Sequence, residues 1–258
     1  MQPALPRAVA AVLLMASAAT ALANDPPVPA GLAPGGEAIA LITDGVDYTD
    51  TVIAGRLARD GEGEPITLDL VDGDVRPYAA PGHGRGTRLA KIALAAYPSS
   101  RLIIVRAAPT DPASLARAVI FASRTPARVV ALSFWGQDPD IWKPFAEAVR
   151  MASQVAFVLP GGTPAVRTKG DVFPAAFNLP NAIVAADLKE SDLQEGSKLA
   201  VDAWLGTKVD QDYLAPLDAA VTDRKVSSAG PDIEDAVDGA AFVAAVAACF
   251  IAPSLTGA

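Results

Sequence analysis

The chain has 258 residues, 51% of them hydrophobic and 19% charged, enough to bury a core without covalent staples. Its formal net charge of −8 opposes phosphate backbones and anionic lipid surfaces, so nucleic acid is excluded as an expected partner. A single cysteine, Cys249, and a single histidine, His83, rule out an intrachain disulfide and a transition-metal set, and no cofactor is expected.

Residues 1–23 read as a signal peptide. Arg7 precedes an apolar run over 8–19, and Ala21-Leu22-Ala23 places small residues where a signal peptidase reads them. The run is far shorter than the roughly 20 residues that cross a bilayer, so cleavage after Ala23 is expected, with no membrane span left. The small-residue signal and the lack of disulfides suit a periplasmic or secreted protein. Residues 24–36, NDPPVPAGLAPGG, read as a Pro/Gly-rich extended tether, and one domain is expected over 37–258.

From residue 38 onward, short apolar runs rich in β-branched residues alternate with amphipathic segments of helix length. AIALIT and ITLDLV are followed by a helix over 86–97, RLIIVRA by a helix over 112–124, RVVALSF by a helix over 141–153, and VAFVLP and AIVAAD come next. A last helix is expected over 233–251, where Cys249 reads as a small core residue. Asp111 and Asp140 are candidate N-caps, with Pro112 in a first-turn position. Strands that are apolar throughout, rather than alternating, belong to a sheet covered on both faces. The expected fold is therefore α/β, a three-layer sandwich with a mostly parallel sheet.

Four blocks, in order and at workable separations, resemble the signature segments of the subtilisin-like serine peptidases, the subtilase family. They are IALITDGVDY from Ile39, GHGRGTRLAKIALAAYPSSRLIIVRA from Gly82, ARVVALSFWG from Ala127 with VAFVLPGG from Val155, and FPAAFNLPNAIVAAD from Phe173. The resemblance covers nearly all of the chain after residue 36 and implies a subtilisin-like domain with catalytic and substrate-lining positions that can be checked one by one.

At each catalytic position the residue type departs from the family's pattern. Aligning IALITDGV on V-A-V-I-D-[ST]-G-[VI] puts Thr43 where an aspartate would orient the imidazole, with Asp44 one place late. Aligning GRGTRLAKI on the histidine block puts Arg85 at the base, and a guanidinium with a pKa above about 12 accepts no proton at neutral pH. Val237 falls at the nucleophile and Gly162 at the oxyanion-binding asparagine. The expectation is a pseudopeptidase with no catalytic residues that binds a polypeptide or serves as an envelope subunit. The binding residues implied by the family's substrate-lining edge are Ser133, Phe134, Trp135 and Gly136, together with Gly162.

A rearranged triad using Asp44, His83 and either Ser227 or Ser228 is the alternative, an active endopeptidase with displaced groups. Against it, successive strand side chains face opposite ways, so a one-residue shift turns the Asp44 carboxylate from the old site unless the turn is rebuilt. The Gly-rich turn GHGRGTR lacks the Lys-Ser/Thr of a P-loop and the glycine spacing of a dinucleotide fingerprint, so it is not read as a phosphate site. The acids over 69–74, DLVDGD, have the composition of a calcium loop but read as solvated, and no metal is assigned.

Overall fold

The structure, a computed structural model, describes residues 25–80, 85–96, 98–161 and 171–185. The proposed signal peptide, His83, Gly162, Ser227, Ser228, Val237, Cys249 and the helix expected over 233–251 lie outside the described residues.

Among the described residues six strands form one sheet: β1 (Ala38–Thr43), β2 (Thr67–Asp69), β3 (Arg101–Arg106), β4 (Val129–Leu132), β5 (Ala156–Pro160) and β6 (Ala182–Ala185). Their order is β2-β3-β1-β4-β5-β6, and every pairing is parallel. The fold is thus α/β, with a sheet more uniformly parallel than the sequence alone required. Among the described residues four α-helices accompany it: α1 (Thr51–Ala54), α2 (Arg85–Ala96), α3 (Pro112–Ala122) and α4 (Pro139–Met151).

The two-residue period survives inside strands that are apolar along their whole length. Ala40, Ile42, Ile103, Val105, Val130, Leu132, Phe157 and Leu159 join one core with α3 and α4. Their neighbours Ile39, Leu41, Leu102, Ile104, Val129, Ala131 and Val158 join another with α1 and α2. Both faces are covered, which is why the strand sequences show no polar side.

Helix starts follow local chemistry. Asp111 caps α3 by accepting from Ala113 N at 3.0 Å, and Pro112 sits in its first turn. For α4 the cap is Asp138, not Asp140: Pro139 takes the first helical position, so the helix begins two residues earlier and Asp140 falls in its first turn. Asn181 closes the other end, donating from Nδ2 to Val149 O, Ala152 O and Val155 O at 2.9–3.1 Å.

The proline-rich residues 25–36 form no helix or strand but are tied to the domain. Tyr48 Oη donates to Pro26 O at 2.7 Å, and Arg59 Nη2 donates to Pro29 O at 2.6 Å. Among the described residues no helix is long and apolar enough to cross a membrane.

Candidate functional site

From β1 the chain runs to β2 beyond β3, whereas from β4 it runs through α4 to β5 on the other side. Adjacent strands whose connections leave in opposite directions open a crevice at their carboxyl ends, the usual ligand position in open parallel sheets. Here that crevice lies between Thr43 and Asp44 at the end of β1 and the stretch from Ser133 to Gly136 after β4.

On the β1 side, Asp44 faces the turn that opens α2. Its Oδ2 accepts from Arg85 N and its Oδ1 from Gly86 N, each at 3.0 Å, and Thr43 Oγ1 adds a third hydrogen bond at 3.0 Å. The carboxylate thus faces the start of α2, which falls under the exception, a rebuilt turn, to the expectation that a one-residue shift turns it away. Strand β1 ends at Thr43, and Asp44 lies in the bend beyond it, where side chains no longer alternate. The carboxylate therefore satisfies two amides that a helix start otherwise leaves without partners. Gly86 permits this approach, because a Cβ there would overlap Gly45 O and Thr43 Oγ1.

Thr43 is 1% exposed and Arg85 is half-buried. The Arg85 Nε lies 3.9 Å from Asp44 Oδ2, an ion pair too long for a hydrogen bond. Lys91, further along α2, pairs with Asp50 at 2.5 Å and ties α2 to the cap of α1. That hydrogen bond to Lys91 holds the Asp50 carboxyl below its ordinary value.

On the β4 side, Ser133 N continues the sheet by donating to Ile42 O at 3.0 Å. Ser133 and Phe134 are buried, at 3% and 2% exposure, so Phe134 is a core side chain. Trp135 is half-buried, and its Nε1 is shielded from solvent without a hydrogen-bond partner. The main chain of Gly136 is already paired with Phe173, N to O at 3.0 Å and O to N at 2.8 Å. Strand addition by a ligand at this edge is therefore confined to the residues before Gly136.

A cleft of about 260 Å³ opens beside this stretch, lined in part by Arg85, Phe134, Trp135, Asp138, Ile141 and Trp142. It brings Arg85 together with the aromatic edge, two segments that the sequence singled out separately. The contribution of α4 through Ile141 and Trp142 was not foreseen, although Trp142 is one of only three tryptophans. A Cβ on Gly136 would lie 2.8 Å from Trp142 Nε1. Gly136→Ala is accordingly expected to cost about 1–3 kcal/mol through overpacking, read as a lower denaturant midpoint with an unchanged slope. Unaltered stability would mean that the Trp142 ring yields without strain.

The acidic stretch over 69–74, which contributes no residue to the lining of this cleft, is a charge network. Arg106 Nη1 donates to Asp69 Oδ2 at 2.8 Å and to Asp72 Oδ2 at 2.5 Å, and Asp69 is fully buried. Asp25, Asp69 and Asp72 place carboxylate oxygens within 4.8 Å of one another, with the Arg106 guanidinium bound to two of these acids.

No protein-family model matches this sequence, and neither does any curated protein sequence. Among solved structures the chain is similar to a lanthipeptide protease, with 16% identity and a TM-score of 0.49, covering 62% of this chain and 51% of the other. It is similar to MycP1 with its N-terminal propeptide removed, with 18% identity and a TM-score of 0.42, covering 70% and 62%. It is also similar to the patellamide maturation protease PatG, with 13% identity and a TM-score of 0.37, covering 88% and 94%. The chain thus spans about half the length of the lanthipeptide protease. At these scores the fold rests on the sheet topology itself, and none of these proteins' activities transfers to this chain.

Proposed function

We propose that this chain is an exported, subtilisin-like pseudopeptidase that binds a polypeptide, on its own or as a subunit of an envelope assembly. The observation that carries the reading is the occupation of the Asp44 carboxylate. It holds the first amides of α2 with both oxygens, and the residue it holds is Arg85, which accepts no proton at neutral pH. A nucleophile in this crevice would have neither an imidazole at that position nor a carboxylate free to orient one.

Binding does not need those groups. Ser133, Phe134, Trp135 and Gly136 lie at the carboxyl end of a central strand, beside the cleft; Gly162, outside the described residues, is proposed as a further binding residue. Strand pairing and one side-chain pocket support an affinity in the micromolar range, about −8 kcal/mol. Half-buried at the wall of the cleft, Trp135 is the anchor, and Trp135→Ala is expected to weaken a captured polypeptide by about 1–3 kcal/mol at an unchanged melting temperature.

The test is reaction of the purified protein with a fluorophosphonate, alongside casein hydrolysis, and both are expected at the level of the buffer blank. Labelling of a serine that is abolished by Asp44→Ala or His83→Ala would establish the displaced triad instead. Mass spectrometry of the native protein tests export, with Asn24 expected as its first residue.

A further inference from the structure

The geometry points to a charge preference in the cleft: Arg85 selects an extended polypeptide segment that carries an Asp or Glu side chain next to a large apolar one. This rests on the polypeptide-binding reading above and specifies its ligand.

The volume decides the scale of the occupant. At about 260 Å³ the cleft is smaller than the roughly 300–1,000 Å³ typical of sites that enclose a whole small molecule, and it suits one or two side chains of a longer chain. Trp135, Ile141 and Trp142 supply an apolar wall.

The charges around the cleft are unequally satisfied. Asp44 is the nearest acid to Arg85, but its oxygens already accept from Arg85 N, Gly86 N and Thr43 Oγ1, and the Arg85 Nε stands 3.9 Å away. Asp138 is directed to the start of α4, where Oδ1 accepts from Asp140 N at 2.9 Å, and Asp140 is paired with Lys143. Arg85 is the one cation among the described residues that line the cleft, and its side chain, 35% exposed, makes no hydrogen bond among the described residues. A planar guanidinium with its fork open matches a carboxylate in two parallel hydrogen bonds.

The net charge of −8 opposes an acidic ligand at long range. That field is screened over about 8 Å at physiological ionic strength, whereas a contact pair inside a cleft is screened far less, so the local cation sets the preference.

The experiment uses the full exported chain and fluorescent peptides with a blocked, amidated C-terminus, so that only side chains supply charge. Each peptide carries one fixed aromatic residue flanked by Glu, Gln or Lys, and binding is read by anisotropy. Wild type is expected to bind Glu peptides about 10- to 100-fold more tightly than Gln peptides, and Lys peptides least. Arg85→Met should erase the gap between Glu and Gln, and Arg85→Glu should invert the order in favour of Lys. Because Asp44 grips the main-chain amide of residue 85, Arg85→Met is expected to melt as wild type does, and Arg85→Glu, which sets a carboxylate near that of Asp44, somewhat lower but still folded at the assay temperature. An order unchanged in Arg85→Glu would overturn the inference, as would equal binding of Glu and Gln peptides by wild type, while the polypeptide-binding reading stood. Failure of wild type to bind any peptide would remove both.

Discussion

Arg106→Ala is expected to lower stability by about 3–5 kcal/mol, because it leaves Asp69 buried without its counter-charge. Asp69 is 0% exposed and lies opposite Arg106 in the parallel register of β2 and β3, where Arg106 Nη1 reaches it at 2.8 Å. The pair differs in kind from the exposed Lys143–Asp140 contact, which water screens. Burial lowers the affinity of Arg106 for its proton, but the hydrogen bonds and charges of Asp69 and Asp72 together outweigh it and hold the guanidinium above its ordinary value. Asp25 belongs to the same cluster: burial, then Asp72 and Asp74, push its carboxyl above the usual range, and Arg106 pulls it back. A raised carboxyl contributes stability in its protonated form, and that contribution fades as pH rises through its folded value. Removing Arg106 raises Asp25 further, so the deficit of Arg106→Ala should shrink as pH falls from 7 into the range about and below 4. Denaturant melts at several pH values read this directly. The double variant Asp69→Asn with Arg106→Met should lose less than Arg106→Ala alone, since no fully buried charge is left without its partner. A single variant that melts like wild type at pH 7 would mean that Asp69 finds water in place of Arg106.

The pair was not legible in the sequence, and the reason is physical. Asp69 and Arg106 are 37 residues apart, and only the placement of β2 beside β3 brings them together. What could be read was local. Runs such as AIALIT and RLIIVR are too short and too apolar for surface helices, and they became β1 and β3. The N-cap at Asp111 was visible because Pro112 follows it, whereas at α4 two acids flank Pro139 and the choice of Asp138 depends on which residue starts the helix. Helix α1 is four residues long, and four residues show no period. Thr43, Arg85 and the stretch from Ser133 to Gly136, singled out separately, lie around one crevice, whereas the direction of Asp44 was read from strand alternation. That rule stops where the strand does, and the carboxylate came to face Arg85.

Trp142→Ala is expected to cost about 3–5 kcal/mol and to dismantle the cleft, in contrast to Trp135→Ala, which should leave the fold intact. Both indoles line the same cleft, yet they stand on opposite sides of the boundary between core and surface. Trp142 is 2% exposed and sits edge-on to Phe145, with centroids 5.7 Å apart. Phe145 in turn meets Phe157 of β5 edge-on at 6.4 Å. Removing the ring opens a void at the top of this stack and takes away the surface against which Gly136 is pressed. For a domain of this size such a loss lowers Tm by roughly 10 °C, well outside measurement scatter. Trp142→Phe should recover more than half of it, since a smaller ring still fills the stack. Trp135 is only half-buried and its Nε1 has no partner to lose, so its truncation subtracts contact area at the rim and little from the core. The comparison is a thermal melt of the two alanine variants followed by binding of the same aromatic peptide to each folded protein. The expected pattern is a large Tm loss for Trp142→Ala and an affinity loss without Tm loss for Trp135→Ala. Equal Tm losses would place Trp135 in the core as well, and its role as a ligand anchor would have to be given up.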